Sequence, residues 1–201
     1  MLQRDFIPRE SLRFTANRLQ SKEDVYGCVA IQSSAYIAAY KAIDDATQGK
    51  ITAFVRETDF MQRKVSYYES FANIGRGARV ARPLGFYALT TVLGVCTLMQ
   101  DSRDPTLVHV DGIFVNPDRS GQGVGSALLT SALTDFPEWQ TVRAETTYGT
   151  RAVRFFEKEG FVDTGMQAPW PRQPYDWGEI LLLQTVMEAT REQYFDAVSG
   201  H

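Results

Sequence analysis

The sequence predicts an α/β protein, α+β in layout, with one mixed β-sheet covered by helices. Three observations carry this. Segments with a helical period fill the stretch from Val25 to about Asn73. Beyond Pro83 the texture changes to short runs rich in β-branched and aromatic residues. A glycine-rich turn, Ser120 to Gly125, then passes directly from one such run into an apolar helix. Strands with helices interspersed fold as a single mixed sheet, neither doubly wound nor an all-β sandwich. With 201 residues, 44% hydrophobic and 22% charged, the chain can bury a core. It reads as one domain over 1–201, with about 1–10 and 190–201 as peripheral tails.

Each element has its own signal. In residues 11–19, Leu12, Phe14 and Ala16 alternate with Arg13, Thr15 and Asn17, the period of a strand. Ser21 offers an N-cap, with Asp24 three residues on. A helix is predicted from Val25 to Ala46 on Val29, Tyr36, Ile37 and Tyr40, with Gly49 as its stop. A second is predicted from Ile51 to about Asn73 on Phe54, Val55, Phe60, Met61, Val65 and Tyr68. Gly75, Gly77 and Pro83 break the chain. Three strands follow, 83–91, 92–100 and 106–115, the last two joined as a hairpin by the turn cluster Asp101 to Pro105. Past the glycine turn, Val124, Leu128, Leu129, Ala132, Leu133 and Phe136 mark a helix that Pro137 ends. Thr141 to Tyr148 is a strand, and Thr150 to Glu159 a short helix with Gly160 beyond its end. Two more strands, 161–167 and 179–188, flank a loop carrying Pro169, Pro171 and Pro174. The predicted order is β-α-α-β-β-β-α-β-α-β-β.

Composition excludes several functions. Lys and Arg total 21 against 24 Asp and Glu, a net charge of -3, which disfavours a phosphate-backbone binder and predicts no nucleic-acid partner. Cys28 and Cys96 stand far apart and form no framework or C-x-x-C. With His109 and His201 as the whole imidazole supply, no metal site is expected. The opening MLQRDFIPRE is broken by charges and predicts no signal peptide. No apolar stretch approaches the length of a spanning helix, so no membrane role is expected. A reduced, cytoplasmic location is the expectation.

The chemistry concentrates in Ile113 to Leu129, IFVNPDRSGQGVGSALL. An apolar strand ends at Val115, Asn116 and Pro117 turn the chain, and glycines at 121, 123 and 125 open a helix. Glycine permits backbone conformations in which successive N–H groups converge on one point, an anion-binding concavity. The helix N-terminus adds unpaired donors and partial positive charge. Such a turn also serves merely to join a strand to a helix. It is not G-x-G-x-x-G with an acidic residue about 20 positions on, and no Lys-Ser/Thr follows as a Walker A loop requires.

The segment V-x-P-x-x-x-G-x-G-x-G-x-x-L-L resembles the acetyl-CoA-binding motif of the GNAT N-acyltransferase superfamily. The family's Arg/Gln-x-x-Gly-x-Gly/Ala aligns with Ser120 to Gly125, where Ser120 departs from Arg or Gln and Arg119 precedes it. Residues 152–161, AVRFFEKEGF, resemble the family's A-x-x-aromatic-Tyr-E-x-x-G-F helix. The resemblance covers about 106–165. It implies a GNAT-like sheet with splayed strands 4 and 5. It also implies pyrophosphate on the N–H groups of Gln122, Gly123, Val124, Gly125 and Ser126, with Arg119, Ser120 and Gly121 alongside. The pantetheine arm would lie against Ile113, Phe114 and Val115, and Phe156 would pack on it or in the core.

On this resemblance the chain is an N-acetyltransferase with acetyl-CoA as co-substrate and no metal. It moves an acetyl group to a primary amine of a small molecule or a peptide N-terminus. As in many relatives, a homodimer is implied. Asp111 is the first candidate general base and His109 the second. Both share the strand parity of Ile113 and Val115, a parity that a bulge would change. Asp111 as a turn cap at Gly112 and His109 as a structural imidazole remain open. The family's tyrosine acid falls on Phe156, which has no proton to give. Its frequent Asn falls on Gly149. Tyr148 is the substitute candidate; unaided departure of the thiolate is the other route. For the acceptor, the loop Ala168 to Gly178 offers Trp170, Tyr175 and Trp177 as an aromatic wall, with Asp176 or Glu179 to pair an ammonium. Asp59, Tyr67, Tyr68 and Glu69 are further contributors. The departures at Ser120, Gly149 and Phe156 keep a second reading alive, a non-catalytic acyl-CoA-binding or regulatory protein. A nucleotide-binding module is a third.

Overall fold

Ser21 starts the first helix by reciprocal capping: its hydroxyl accepts from the Asp24 N–H (3.1 Å) while the Asp24 carboxylate accepts from the Ser21 N–H (3.0 Å). A computed structural model of the chain describes residues 15–19, 21–41, 44–73, 84–88, 91–170 and 182–200. Helix α1 runs Lys22–Tyr40, shorter than the expected Val25 to Ala46. The reason is Asp44, whose carboxylate accepts from the Thr47 N–H (2.7 Å) and caps a new helix, α2, Asp45–Arg56. Gly49, expected as a stop, lies inside α2. Nothing stands within 4 Å of where its Cβ would be, so it costs only its helix propensity, about 1 kcal/mol. Glu57 is extended (ψ 138°) and separates α2 from α3, Thr58–Asn73. The two predicted amino-terminal helices are therefore three.

The described strands are β1 (Thr15–Arg18), β2 (Leu84–Ala88), β3 (Thr91–Gln100), β4 (Leu107–Val115), β5 (Thr141–Thr147), β6 (Val162–Trp170) and β7 (Leu182–Thr190). They form one mixed sheet in the order β1-β2-β3-β4-β5-β7-β6, as the fold class requires. Every pair is antiparallel except β4 with β5. The parallel pair is joined by a crossover through α4, Val124–Leu133. The β3–β4 hairpin forms where expected. Asp101 Oδ1 accepts from the N–H groups of Arg103 (2.8 Å) and Asp104 (3.0 Å), which locks the turn.

Helices cover both faces. On one face α4, α5 (Arg151–Lys158) and α6 (Arg191–Ser199) bury Leu128, Leu129, Phe156 and Tyr194 against Leu98, Val108, Val142 and Met187. On the other, α1 and α3 bury Val25, Cys28, Val29 and Tyr68 against Val92 and Val95. Cys28 and Cys96 are both fully buried and belong to different clusters. Among the described residues no helix is long and apolar enough to cross a membrane.

The stretch 190–201, expected as a peripheral tail, is largely helix α6. Thr190 and Gln193 form a capping box at its start, and Tyr194 is fully buried with its hydroxyl 2.7 Å from Thr130 Oγ1. Its inward-facing residues, Tyr194 and Val198, span a single helical repeat, too little periodicity to announce it. Gly160 lets α6 close on α5: its φ is +86°, and a Cβ there would lie 2.5 Å from the Gln193 carbonyl oxygen. Gly160→Ala combines left-handed strain with a backbone clash. It is expected to lower unfolding free energy by about 3 kcal/mol, read as a reduced denaturant midpoint.

Candidate active site

Beyond β4 the chain is bent by Asn116, whose side chain accepts from the Asp118 N–H (3.0 Å) and starts a single 3-10 turn, Pro117–Arg119. Gly121 (φ +76°) and Gly123 (φ +81°) then take left-handed conformations, and Gly123 is the N-cap of α4. No neighbouring atom occupies the space beside either α-carbon. Gly125 serves packing instead, since a Cβ there would meet the Phe155 ring at 2.9 Å. Among the described residues no main-chain carbonyl accepts from the amides of Gly123, Val124, Gly125 and Ser126. The N–H of Gln122, also expected among these donors, lies 3.4 Å from the Arg119 carbonyl oxygen. Arg119, Ser120 and Gly121 lie exposed along the same turn. The Ser126 hydroxyl donates to Glu159, a carboxylate 1% exposed, so Ser126 offers the cradle its amide. The positive end of α4 partly offsets the burial of that carboxylate.

β4 and β5 pair from Leu107↔Thr141 to Val110↔Ala144 and no further. Beyond that point the strands part, as the resemblance implied, and the edge of Asp111 to Val115 that faces β5 is left without a ladder. The opening starts at a bulge. Thr97 pairs with Gly112 and Leu98 with Val110, so Asp111 has no partner on β3. This overturns the shared parity of the two candidate bases with Ile113 and Val115. Ile113 and Val115 pack on the α4 side with Val108 and Val110, whereas His109 and Asp111 face the α1 and α3 side with Phe114.

A cavity of about 750 Å³ runs through the opening. Its walls are β4 from His109 to Val115, β5 at Arg143 and from Glu145 to Thr147, α1 at Tyr36 and Tyr40, and Phe156 of α5. Tyr148, the expected substitute acid, is 60% exposed and does not line it, because its side chain lies past the end of β5.

Asp111 accepts a hydrogen bond from the Tyr67 hydroxyl on α3. Burial pushes the Tyr67 phenol well up, with the Asp111 carboxylate adding to it, so Tyr67 stays a protonated donor. Lys64 lies over the Tyr67 and Phe60 rings (5.1 and 5.8 Å). Burial lowers its ammonium pKa, and the Asp111 carboxylate opposes that shift. His109 Nε2 is 3.2 Å from Asp101 Oδ2. The Arg103 and Asp104 amides, then the His109 ring, hold Asp101 below the usual carboxylate range. If Nε2 donates to Asp101, the ring's lone pair sits on Nδ1. Arg143 is paired with Glu188 across β5 and β7.

Tyr67 thus reaches the cavity through Asp111. Tyr68, expected beside it, is a core residue whose hydroxyl donates to Gln32 (3.0 Å), and neither Asp59 nor Glu69 lines the cavity. The expected aromatic wall lies outside the described residues: of its loop, 171–178 with Tyr175, Asp176 and Trp177 falls there, as do Glu179 and the Trp170 side chain. Sequence reasoning did not assign Tyr40, Asp101 or Glu145 to the site. Asp101 had a signal, since a turn aspartate facing the next strand's histidine is legible once the hairpin is drawn.

Comparison with known proteins places this geometry. Over 57 residues, 28% of this chain, the sequence is 44% identical to the peptidyl-lysine N-acetyltransferase YjaB of Salmonella typhimurium. That match spans 38% of the relative's length. Among solved structures, the PaiA N-acetyltransferase of Thermoplasma acidophilum in complex with coenzyme A matches with a TM-score of 0.62 at 17% identity, over 88% of this chain and 98% of that one. YncA of Salmonella typhimurium, an acetyltransferase solved with acetyl-CoA, matches with a TM-score of 0.59 at 19% identity, over 88% and 93%. The model of the acetyltransferase (GNAT) family matches residues 50–161, more than half of the chain and the whole span from α2 through the glycine turn to Phe161. The chain therefore belongs to the GNAT acetyltransferase family.

Proposed function

We propose that this protein is an acetyl-CoA-dependent N-acetyltransferase that moves an acetyl group to a primary amine of a small molecule or a peptide. One observation carries the reading: the β4–β5 ladder ends at Val110/Ala144, and the edge of β4 so exposed leads directly to a cradle of four unspent amides at Gly123 to Ser126. That continuous surface suits a long ligand with amides at one end and a diphosphate at the other. The names of the partial relative and of the structural neighbours are consistent with it.

The residues divide the work. The amides of Gly123, Val124, Gly125 and Ser126 hold the diphosphate of acetyl-CoA. Ile113, Phe114 and Val115 present main-chain groups to the pantetheine arm, and Phe156 packs beside it. At the bulge, Asp111 takes the proton of the incoming ammonium, with Tyr67 fixing the carboxylate's orientation. A main-chain N–H released from the ladder there is the available donor for the developing oxyanion. The Asp101–His109 pair lies on the same wall, one strand residue before the last ladder pair, and polarises the acceptor's path.

Calorimetric titration with acetyl-CoA tests the cradle. Release of coenzyme A thiol, followed over small amines, peptides with free N-termini and lysine-containing peptides, tests transfer and sorts the acceptor. No binding at millimolar acetyl-CoA would remove the reading. Phe156 on the cavity wall, with no proton to give, favours a second reading, an acyl-CoA-binding protein without turnover. Tight binding with no acetylation of any amine would select it.

A further inference from the structure

Acyl transfer from a thioester ends with a proton on the departing sulfur, and the cavity wall raises the question of its source. Phe156 has no such proton, and the Tyr148 phenol lies outside the cavity. The threonine hydroxyls of the β5 wall are far weaker acids than a phenol. Among the described residues lining the cavity, the phenols are Tyr36 and Tyr40, stacked on one another on α1 with ring centroids 6.0 Å apart. The Tyr40 hydroxyl crosses to the β5 wall: it lies 2.9 Å from Thr147 Oγ1. The Thr147 carbonyl accepts from the Thr150 hydroxyl at 2.7 Å, which fixes the end of β5 against the start of α5. The Tyr40 oxygen is thereby held at the gap between the parted strands, where a thioester arm would run.

The geometry points to Tyr40 as the proton donor to the leaving thiolate, with Thr147 as its anchor. This rests on the transferase reading above. The acceptor nitrogen forms the C–N bond, the C–S bond breaks with its electron pair on sulfur, and the Tyr40 O–H proton moves to that sulfur to give the free thiol. The Thr147 hydroxyl donates to the phenolate left behind, solvent returns its proton, and Asp111 carries off the proton of the amine. Tyr40 suits the role in the resting protein because it is buried in a further apolar cluster, with Ile51 and Val55 of α2 and Phe60 of α3. Burial pushes its pKa up to about 12, so the phenol is fully protonated at neutral pH.

The test compares two acetyl donors in Tyr40→Phe and wild type, using the amine panel described above. One is acetyl-CoA. The other is the acetyl thioester of nitrothiophenol, whose thiolate leaves without a proton. Tyr40→Phe should lower kcat with acetyl-CoA roughly 10- to 100-fold at unchanged acetyl-CoA affinity, and leave the rate with the aryl thioester as in wild type. Thr147→Val keeps the phenol and removes its anchor. It should show the same donor selectivity at smaller amplitude, and it serves if Tyr40→Phe compromises folding. Equal losses on both thioesters, or no loss on acetyl-CoA, overturn the role of Tyr40 alone. A wild-type protein that binds acetyl-CoA but turns over neither thioester overturns the transferase reading and this inference with it.

Discussion

Gly123→Val is expected to weaken acetyl-CoA binding at least about tenfold while leaving the fold in place. Gly123 caps α4 at φ +81° and ψ 0°, a conformation that costs a residue with a Cβ about 1–2 kcal/mol, and more when the side chain is β-branched. About 1.4 kcal/mol is a factor of ten in affinity. No atom lies within 4 Å of where the new Cβ would sit, so packing is not what the substitution disturbs. The loss falls on the convergence of the amides from Gly123 to Ser126, which needs the chain to turn left-handed before the helix begins. A valine side chain would also stand in the concavity itself. Isothermal titration reads the effect directly. Gly49→Ala is the matched control: that glycine lies inside α2 with open space around it, and the change should leave acetyl-CoA affinity untouched. Equal affinities for Gly123→Val and wild type would show that the diphosphate is held elsewhere.

This turn was legible in the sequence because its physics is local. Positive φ at successive glycines, a helix starting at once and a strand just before it are all written within a dozen residues. The same holds for the Asp101 to Pro105 hairpin and the Ser21 cap. The amino-terminal helices were less legible. Asp44 acts as a cap only because the chain has already left α1 at Tyr40, and a periodicity count slides over the four residues between the two helices. The bulge at Asp111 could not be read at all. It is set by the register against Thr97 and Leu98, and one extra residue in β4 reverses which side chains face the opening. Tyr67 and Asp111 are 44 residues apart, and Tyr40 and Thr147 107 apart. Such contacts are products of helix placement on the sheet, and no spacing rule encodes them.

Asp111→Asn is expected to lower kcat by about 10²–10⁴-fold with acetyl-CoA affinity unchanged. The amide is close to the carboxylate in shape and still accepts from the Tyr67 hydroxyl, so the bulge and the opening should persist. What disappears is the carboxylate that the proposed mechanism assigns to take a proton from the acceptor. Single-turnover rates with acetyl-CoA separate this from a binding defect. His109→Ala provides the contrast, because its ring is engaged with Asp101 and lies before the bulge. A smaller loss is expected there. Full activity in Asp111→Asn together with collapse in His109→Ala would transfer the role of base to the imidazole.

The two cysteines sealed in separate clusters have a practical consequence. Cys28 and Cys96 are fully buried, and burial pushes the Cys28 thiol up to about 12 and the Cys96 thiol higher still. Reactivity belongs to the exposed thiolate, so neither residue reacts with a disulfide dye while the chain stays folded. A chromogenic sulfhydryl titration of the native protein therefore starts from a flat baseline, and any colour that develops during turnover belongs to the released coenzyme. In denaturant the same dye becomes a stopwatch for opening, with one equivalent for each face of the sheet as its core comes apart.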